Sequence, residues 1–211
     1  MPHTTSNPVL VGRSSSHFTR VCRVFALELG VAHTFEVVRD LTSANAADYA
    51  DNPALRLPIL KCADSTWFGA LNACRQLARL GAHEHRVVWP EDLVSPSCAN
   101  AQELTLQGMA SEVTLIMLRA TSGDRAVPYA DKLLVGIRQM LAWLDAHVDQ
   151  ALAELPGDRQ LSFLEVSLYC WIAHLPFREV APLDGYPALT AFQTRLERRP
   201  SIEATPYRFD S

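Results

Sequence analysis

No run of lysines and arginines occurs in this chain of 211 residues, whose formal charge is −4. A nucleic-acid binder needs a positive face to displace counterions from phosphates, so nucleic acid is not an expected partner. Long apolar runs are missing too. The longest nearly apolar stretch, Val166 to Leu175, carries Ser167 and His174 and is too short to span a bilayer, so no membrane partner is expected. The first eight residues, M-P-H-T-T-S-N-P, hold no apolar segment and do not read as a signal peptide. No C-x-x-C occurs among the five cysteines, Cys22, Cys62, Cys74, Cys98 and Cys170. Their odd number and irregular spacing point to reduced, mostly buried thiols in a cytoplasmic protein. Internal repeats and low-complexity segments are also absent.

What is present is ordinary globular composition, 48% hydrophobic and 20% charged. The length supports one large domain or two small ones. The first eighty residues alternate strand and helix patterns. Pro8–Gly12 is a short apolar run closed by glycine, which suits a buried strand. Phe18, Val21, Cys22, Phe25 and Leu29 then recur at helical spacing up to Gly30. His33–Leu41 reads as a second strand, and 42–53 as an irregular segment or one short helix. Ile59–Ala63 and Thr66–Ala70 read as strands around a turn at Asp64–Ser65, followed by a helix over Leu71–Leu80 closed by Gly81. The order is β-α-β, a loose connection, then β-β-α. A helical crossover makes the first two strands parallel; a two-residue turn makes the last two antiparallel.

Residues 82–94 show no sustained period and contain Pro90, so they read as a linker. Helical stripes follow. Leu106, Met109, Val113, Ile116 and Met117 form one. Leu134, Ile137, Leu141, Leu144 and Val148 form another, and Leu164, Leu168, Trp171, Ile172 and Leu175 a third. A last helix runs from about Pro187 to Arg198. The expected division is residues 1–81, a linker over 82–94, and an all-helical part over 95–211.

Four local features, in order along the chain, resemble a known family. Ser16-His17-Phe18-Thr19-Arg20-Val21-Cys22-Arg23 is similar to S-P-x-x-R-x-V-R, and Asn52-Pro53-Ala54-Leu55-Arg56-Leu57-Pro58-Ile59-Leu60 to N-P-x-G-x-V-P-x-L. Leu161-Ser162-Phe163-Leu164-Glu165 is similar to F-S-x-A-D. Tyr186-Pro187-Ala188-Leu189 with Arg199-Pro200-Ser201 resembles Y-P-x-L…R-P-S. Together they resemble the bacterial glutathione S-transferases over residues 9 to 201. The resemblance implies a thioredoxin-like α/β first domain and an all-α second domain.

It also implies a chemistry. Glutathione is the co-substrate, with no metal, and its thiolate attacks a small hydrophobic electrophile, as in detoxification; the chain is implied to be a cytoplasmic homodimer. Ser16, with Ser14 and Ser15 as alternates, is the implied catalytic residue, because a hydroxyl and a positive helix end both favour thiolate over thiol. Ser16 also suits a plain helix cap. Pro58 matches a cis-proline whose preceding residue, Leu57, offers its backbone to the cysteinyl part of glutathione; a trans-proline opening a strand is the alternative. The family's Glu-Ser pair, which holds the γ-glutamyl carboxylate, is missing. It falls on Gly69-Ala70 in one register and on Ala70-Leu71 in the other, with Asn72 nearby as a partial substitute. Losing such contacts costs roughly a hundredfold in affinity. By position alone, Met109, Glu112, Val113 and Ile116 are the candidate lining of the electrophile pocket. Elsewhere, Ser162 and Glu165 have capping-box spacing. His83-Glu84-His85 lacks a third metal ligand. Arg20 is expected to face solvent or a neighbouring subunit, and Trp143 and Trp171 the core.

Overall fold

The computed structural model describes residues 7–81, 86–123, 125 and 127–210. In chain order the elements are β1 (Val9–Gly12), α1 (His17–Glu28), β2 (Thr34–Val37), β3 (Ile59–Cys62), β4 (Ser65–Phe68) and α2 (Ala70–Leu80), then β5 (Val87–Val88), α3 (Pro96–Ser122), α4 (Pro128–Ala153), β6 (Leu161–Ser162), α5 (Phe163–Phe177), α6 (Pro187–Glu197) and α7 (Pro200–Glu203). They form two units, residues 1–85 with 199–211, and residues 86–198. The His83-Glu84-His85 motif and the first part of the expected linker lie outside the described residues.

The first unit is a four-stranded sheet in the order β2-β1-β3-β4. β1 and β2 are parallel and β3 and β4 antiparallel, as the connections required, and β3 also runs antiparallel to β1. β1 ends in glycine for a steric reason: a Cβ on Gly12 would stand 2.3 Å from Thr19 Cγ2 on α1. α1 buries Val21, Cys22, Phe25 and Leu29. It stops where expected, at Gly30, whose φ is +66°. Gly30 N–H bonds Leu27 O and Val31 N–H bonds Ala26 O, which satisfies the last carbonyls of the helix.

Several strand boundaries differ from the expectation, and β4 runs over Ser65–Phe68 instead of Thr66–Ala70. β2 ends at Val37 instead of Leu41, because Asp40 Oδ1 accepts the Thr42 N–H at 2.7 Å and turns the chain. Ser65 pairs with Cys62, so the hairpin turn is Ala63-Asp64 and not Asp64-Ser65. The loose connection contains a 3-10 turn at Ala46–Tyr49, which packs Tyr49 on Val11, Val38 and Ile59.

The second unit is helical. α4 buries Ile137, Leu141, Leu144 and Val148 of the expected stripe. α5 is buried almost all round, with Trp171 0% exposed. At its start Ser162 Oγ accepts the Glu165 N–H at 3.0 Å, one half of the expected capping box, and Arg159 holds the Glu165 carboxylate through two nitrogens. The region read as linker also contributes β5, which pairs in parallel with β6.

The α3 stripe is a correction. Of the five residues expected inside, only Met109 is buried; the buried face is Cys98, Ala101, Gln102, Thr105, Gly108, Met109, Glu112 and Leu115. Apart from Met109 and Leu115 these side chains are small or polar, where α5 packs on the helix. Gly108 lies against the Trp171 ring, Gln102 Nε2 donates to Ser167 Oγ at 3.1 Å, and Glu112 Oε1 shares a 2.8 Å hydrogen bond with His174 Nδ1. Trp143 is half-buried and stacks on His147 with centroids 4.0 Å apart, so it is not the core residue expected. The five cysteines are thiols, four buried and Cys62 partly exposed.

Residues 199–211 belong with the first unit and not with the helical part that the sequence suggested. Arg199 holds Glu28, at the end of α1, with Nε and Nη2 at 2.9 and 2.7 Å, and Ser201 Oγ donates to the same carboxylate. Burial raises the Glu28 pKa, but the bonds from Arg199 and Ser201 and the Arg199 charge outweigh it, and the net direction is below 4.5. A depressed carboxylate stabilises the fold above its unfolded pKa and loses that contribution as pH falls through the folded value. Glu28→Gln should therefore cost about 1–3 kcal/mol at neutral pH. Thermal unfolding at neutral and acid pH checks this: the gap between the two proteins closes in acid.

Among the described residues, no helix is long and apolar enough to cross a membrane.

Candidate functional site

Three chain segments meet at one end of the first unit's sheet. Val11 on β1 pairs with Ile59 on β3, which pairs with Phe68 on β4. The residues just beyond this row are the loop leading to Ser14–Ser16, Pro58 ahead of β3, and Gly69 after β4. Sheet register alone therefore gathers the serine loop, the proline and the start of α2.

Ser16 is the N-cap of α1, and its Oγ accepts the Thr19 N–H at 3.2 Å. Capping uses one lone pair, while a serine hydroxyl carries one proton and a second lone pair. The same oxygen can therefore cap the helix and donate its proton to an anion. No acidic residue stands in the first turn of α1 itself. Ser14 and Ser15 are both buried. Ser14 Oγ has no hydrogen-bond partner, and its backbone N–H donates to Asp210 Oδ2 at 2.8 Å. Ser16 is the serine of the three that is partly exposed. His17 opens α1, is 1% exposed and lies against Phe18.

The Leu57–Pro58 peptide is cis. Pro58 O accepts the Gly69 N–H at 3.0 Å, which ties the two segments together. Leu57 is half-buried and Pro58 buried. α2 starts at Ala70 with Gly69 as its N-cap, so the turn is Gly69-Ala70. Gly69 has φ +82° and ψ 156°, a backbone conformation that favours glycine. It supplies no side-chain cap, and the first turn of α2 holds no acidic residue. Backbone N–H groups at this helix start are thus available to an anion, without a carboxylate or hydroxyl beside them. Leu71 is half-buried. Asn72 is exposed, and its Nδ2 donates to Phe68 O at 3.2 Å, so the amide is spent on local structure.

In the second unit, Met109 and Glu112 are buried, while Val113 and Ile116 on α3 are partly exposed. Glu112 is 0% exposed and engages His174, a commitment that the helical periodicity did not reveal. Arg20 corrects the expectation of a surface role. It is 5% exposed, its Nη2 donates to Ile202 O at 3.3 Å, and its guanidinium lies 4.3 Å from the Tyr207 ring centroid. Asp210 is the residue at this site that the sequence did not suggest. It lies 196 positions from Ser14, and no local pattern could have marked it.

No protein-family model matches the sequence, and no curated protein matches it. Solved structures do match the fold. A glutathione transferase family member from Pseudomonas fluorescens, crystallised with bound glutathione, is 21% identical, with a TM-score of 0.77 over 95% of this chain and 99% of its own. A glutathione S-transferase from Methylobacillus flagellatus with glutathione bound is 18% identical, with a TM-score of 0.74 over 95% and 100% of the two chains. Another from Methylobacterium radiotolerans, in complex with glutathione sulfonate, is 18% identical, with a TM-score of 0.71 over 98% of each. A thioredoxin-like sheet unit, a helical unit and near-complete coverage agree, and the chain has the fold of the glutathione S-transferases.

Proposed function

We propose that this chain is a glutathione transferase that joins the glutathione sulfur to a small hydrophobic electrophile. The observation that supports it most is the row at the end of the sheet, where Ser16, the cis Leu57–Pro58 peptide and the open start of α2 stand side by side. Each suits one part of glutathione. The start of α2 suits the γ-glutamyl carboxylate, the Leu57 backbone the cysteinyl amide, and Ser16 the sulfur.

The chemistry then follows from charge. The Ser16 hydroxyl donates to the sulfur while its oxygen keeps the Thr19 N–H, and the α1 end adds positive potential. Both interactions are stronger with thiolate than with thiol, so the thiol pKa falls. The thiolate lone pair attacks an electrophilic carbon, an S–C bond forms, and the leaving group departs with its electron pair. Val113 and Ile116 are the partly exposed apolar side chains of α3 that we assign to the electrophile. Met109 and Glu112 support them from the buried face.

Activity against an activated aryl chloride, followed with and without glutathione, tests the reaction. Ser16→Ala should raise the pKa of the bound thiol and lower kcat at neutral pH by about tenfold to a hundredfold. Thiolate absorbance across a pH series reads that pKa, and an unchanged value removes Ser16 from the mechanism.

A second reading is favoured by Gly69-Ala70. Without a carboxylate or hydroxyl there, the same scaffold would serve as a binding or dimerisation module with little affinity for glutathione. Homodimer formation and a cytoplasmic, detoxifying role belong to the proposal. Sedimentation at micromolar concentration tests the first of these, and a species of 23.4 kDa contradicts it.

A further inference from the structure

The segment 199–210 runs back along α1 and holds it at three successive points. At the C-terminal end of α1, Arg199 and Ser201 grip Glu28. In the middle, Arg20 donates to Ile202 O and lies against the face of Tyr207. At the N-terminal end, Asp210 accepts the Ser14 N–H at 2.8 Å. The order of contacts along the segment reverses the order along the helix, so the segment is a strap antiparallel to α1. Arg23 stands in the field of Arg20 and Arg208, and Asp210 is the carboxylate that offsets them.

The last contact falls on the serine loop. Asp210 holds the backbone two residues ahead of Ser16, and Ser14 itself is buried with its hydroxyl unpartnered. The carboxylate therefore fixes the loop through the main chain, without engaging either hydroxyl. A charge-assisted bond to a backbone N–H is among the stronger hydrogen bonds a loop can make. Ser16 Oγ needs a fixed position, because its proton must point at the sulfur while its lone pair stays on Thr19.

We propose that Asp210 is a positioning residue that sets the Ser14–Ser16 loop, and with it the Ser16 hydroxyl, by accepting the Ser14 N–H. The consequence for catalysis rests on the glutathione reading given above; the hold on the loop does not. Two measurements on the full chain separate them. The first is hydrogen exchange at the Ser14 amide by NMR, in the wild type, Asp210→Ala and Asp210→Asn. Asp210→Ala should accelerate exchange at Ser14 by about tenfold or more, with Asp210→Asn in between because its carbonyl can still accept. Amides of the central strands β1 and β3 should be unchanged, which controls for global unfolding. The second is the pKa of the bound glutathione thiol. Both variants remove the carboxylate charge, which by itself favours the thiolate, so the loop's part is read from the difference between them: the pKa should be higher in Asp210→Ala than in Asp210→Asn, whose carbonyl still holds the loop.

Unchanged exchange at Ser14 in Asp210→Ala overturns the proposal whatever glutathione does. Faster exchange with the same thiol pKa in Asp210→Ala and Asp210→Asn overturns the positioning role and leaves only a structural strap. Faster exchange in a chain that binds no glutathione supports the hold on the loop and refutes the transferase reading.

Discussion

Gly108→Ala should destabilise the protein, although the same change in the middle of a helix ordinarily stabilises it. Alanine is favoured over glycine in a helix interior by about 1 kcal/mol. At Gly108, however, a Cβ would stand 2.1 Å from Trp171 Cζ2 and 2.2 Å from Cη2. The indole is 0% exposed and cannot swing away. Overpacking of this kind costs about 1–3 kcal/mol, occasionally more, and this overlap lies at the upper end. The expected net loss is about 2 kcal/mol, which lowers the melting temperature by roughly 4–8 °C. Gly136 on α4 is the internal control, because its Cβ would meet nothing within 4 Å. Gly136→Ala should stabilise by about 0.5–1 kcal/mol. Thermal melts of the two variants should therefore move in opposite directions.

His174→Leu should cost still more. It removes a 2.8 Å hydrogen bond from Glu112, whose carboxylate is wholly buried. Water cannot replace the bond there. Breaking one side of a buried, hydrogen-bonded pair costs about 3–5 kcal/mol, mostly from the polar group left behind. Replacing both partners together, Glu112→Leu with His174→Leu, should recover a good part of that loss, since two apolar groups need no bonds. A double-mutant cycle by denaturant unfolding reads the coupling, and its expected size exceeds 1 kcal/mol. The result bears on function as well. A loss of activity in Glu112→Ala would first reflect damage to the helical unit, and only Val113 and Ile116 test the electrophile pocket cleanly.

Where local chemistry decides, the sequence was readable. Gly12, Gly30 and Gly81 marked the ends of β1, α1 and α2, and Ser162 with Glu165 marked the start of α5. Strand pairing followed from the lengths of the connections. Of the candidate site, three backbone features were legible: the helix cap at Ser16, the cis-proline that the resemblance implied, and the turn at Gly69. Failures came where distant residues decide. α3 carries an apparent apolar stripe, but its buried face is the one that fits against Trp171 and His174, and the residues meeting them, Gly108 and Glu112, are small or polar. Periodicity cannot rank two faces when the partner helix lies sixty residues on. Arg20 looked like a surface charge because nothing local tells that Ile202 and Tyr207 cover it. Asp210 carries no motif at all; its role comes from a strap that closes on Ser14 only in three dimensions.

A calorimetric titration of glutathione into the wild-type protein tests the central claim most directly. The claim is that the Ser16, Leu57–Pro58 and Gly69-Ala70 row holds glutathione even without the side chains that usually grip its γ-glutamyl end. A dissociation constant below about 1 mM, equivalent to more than about 4 kcal/mol of binding free energy, is the expected result. Binding at millimolar concentration or weaker, in a protein whose thermal unfolding shows it to be folded, would contradict it.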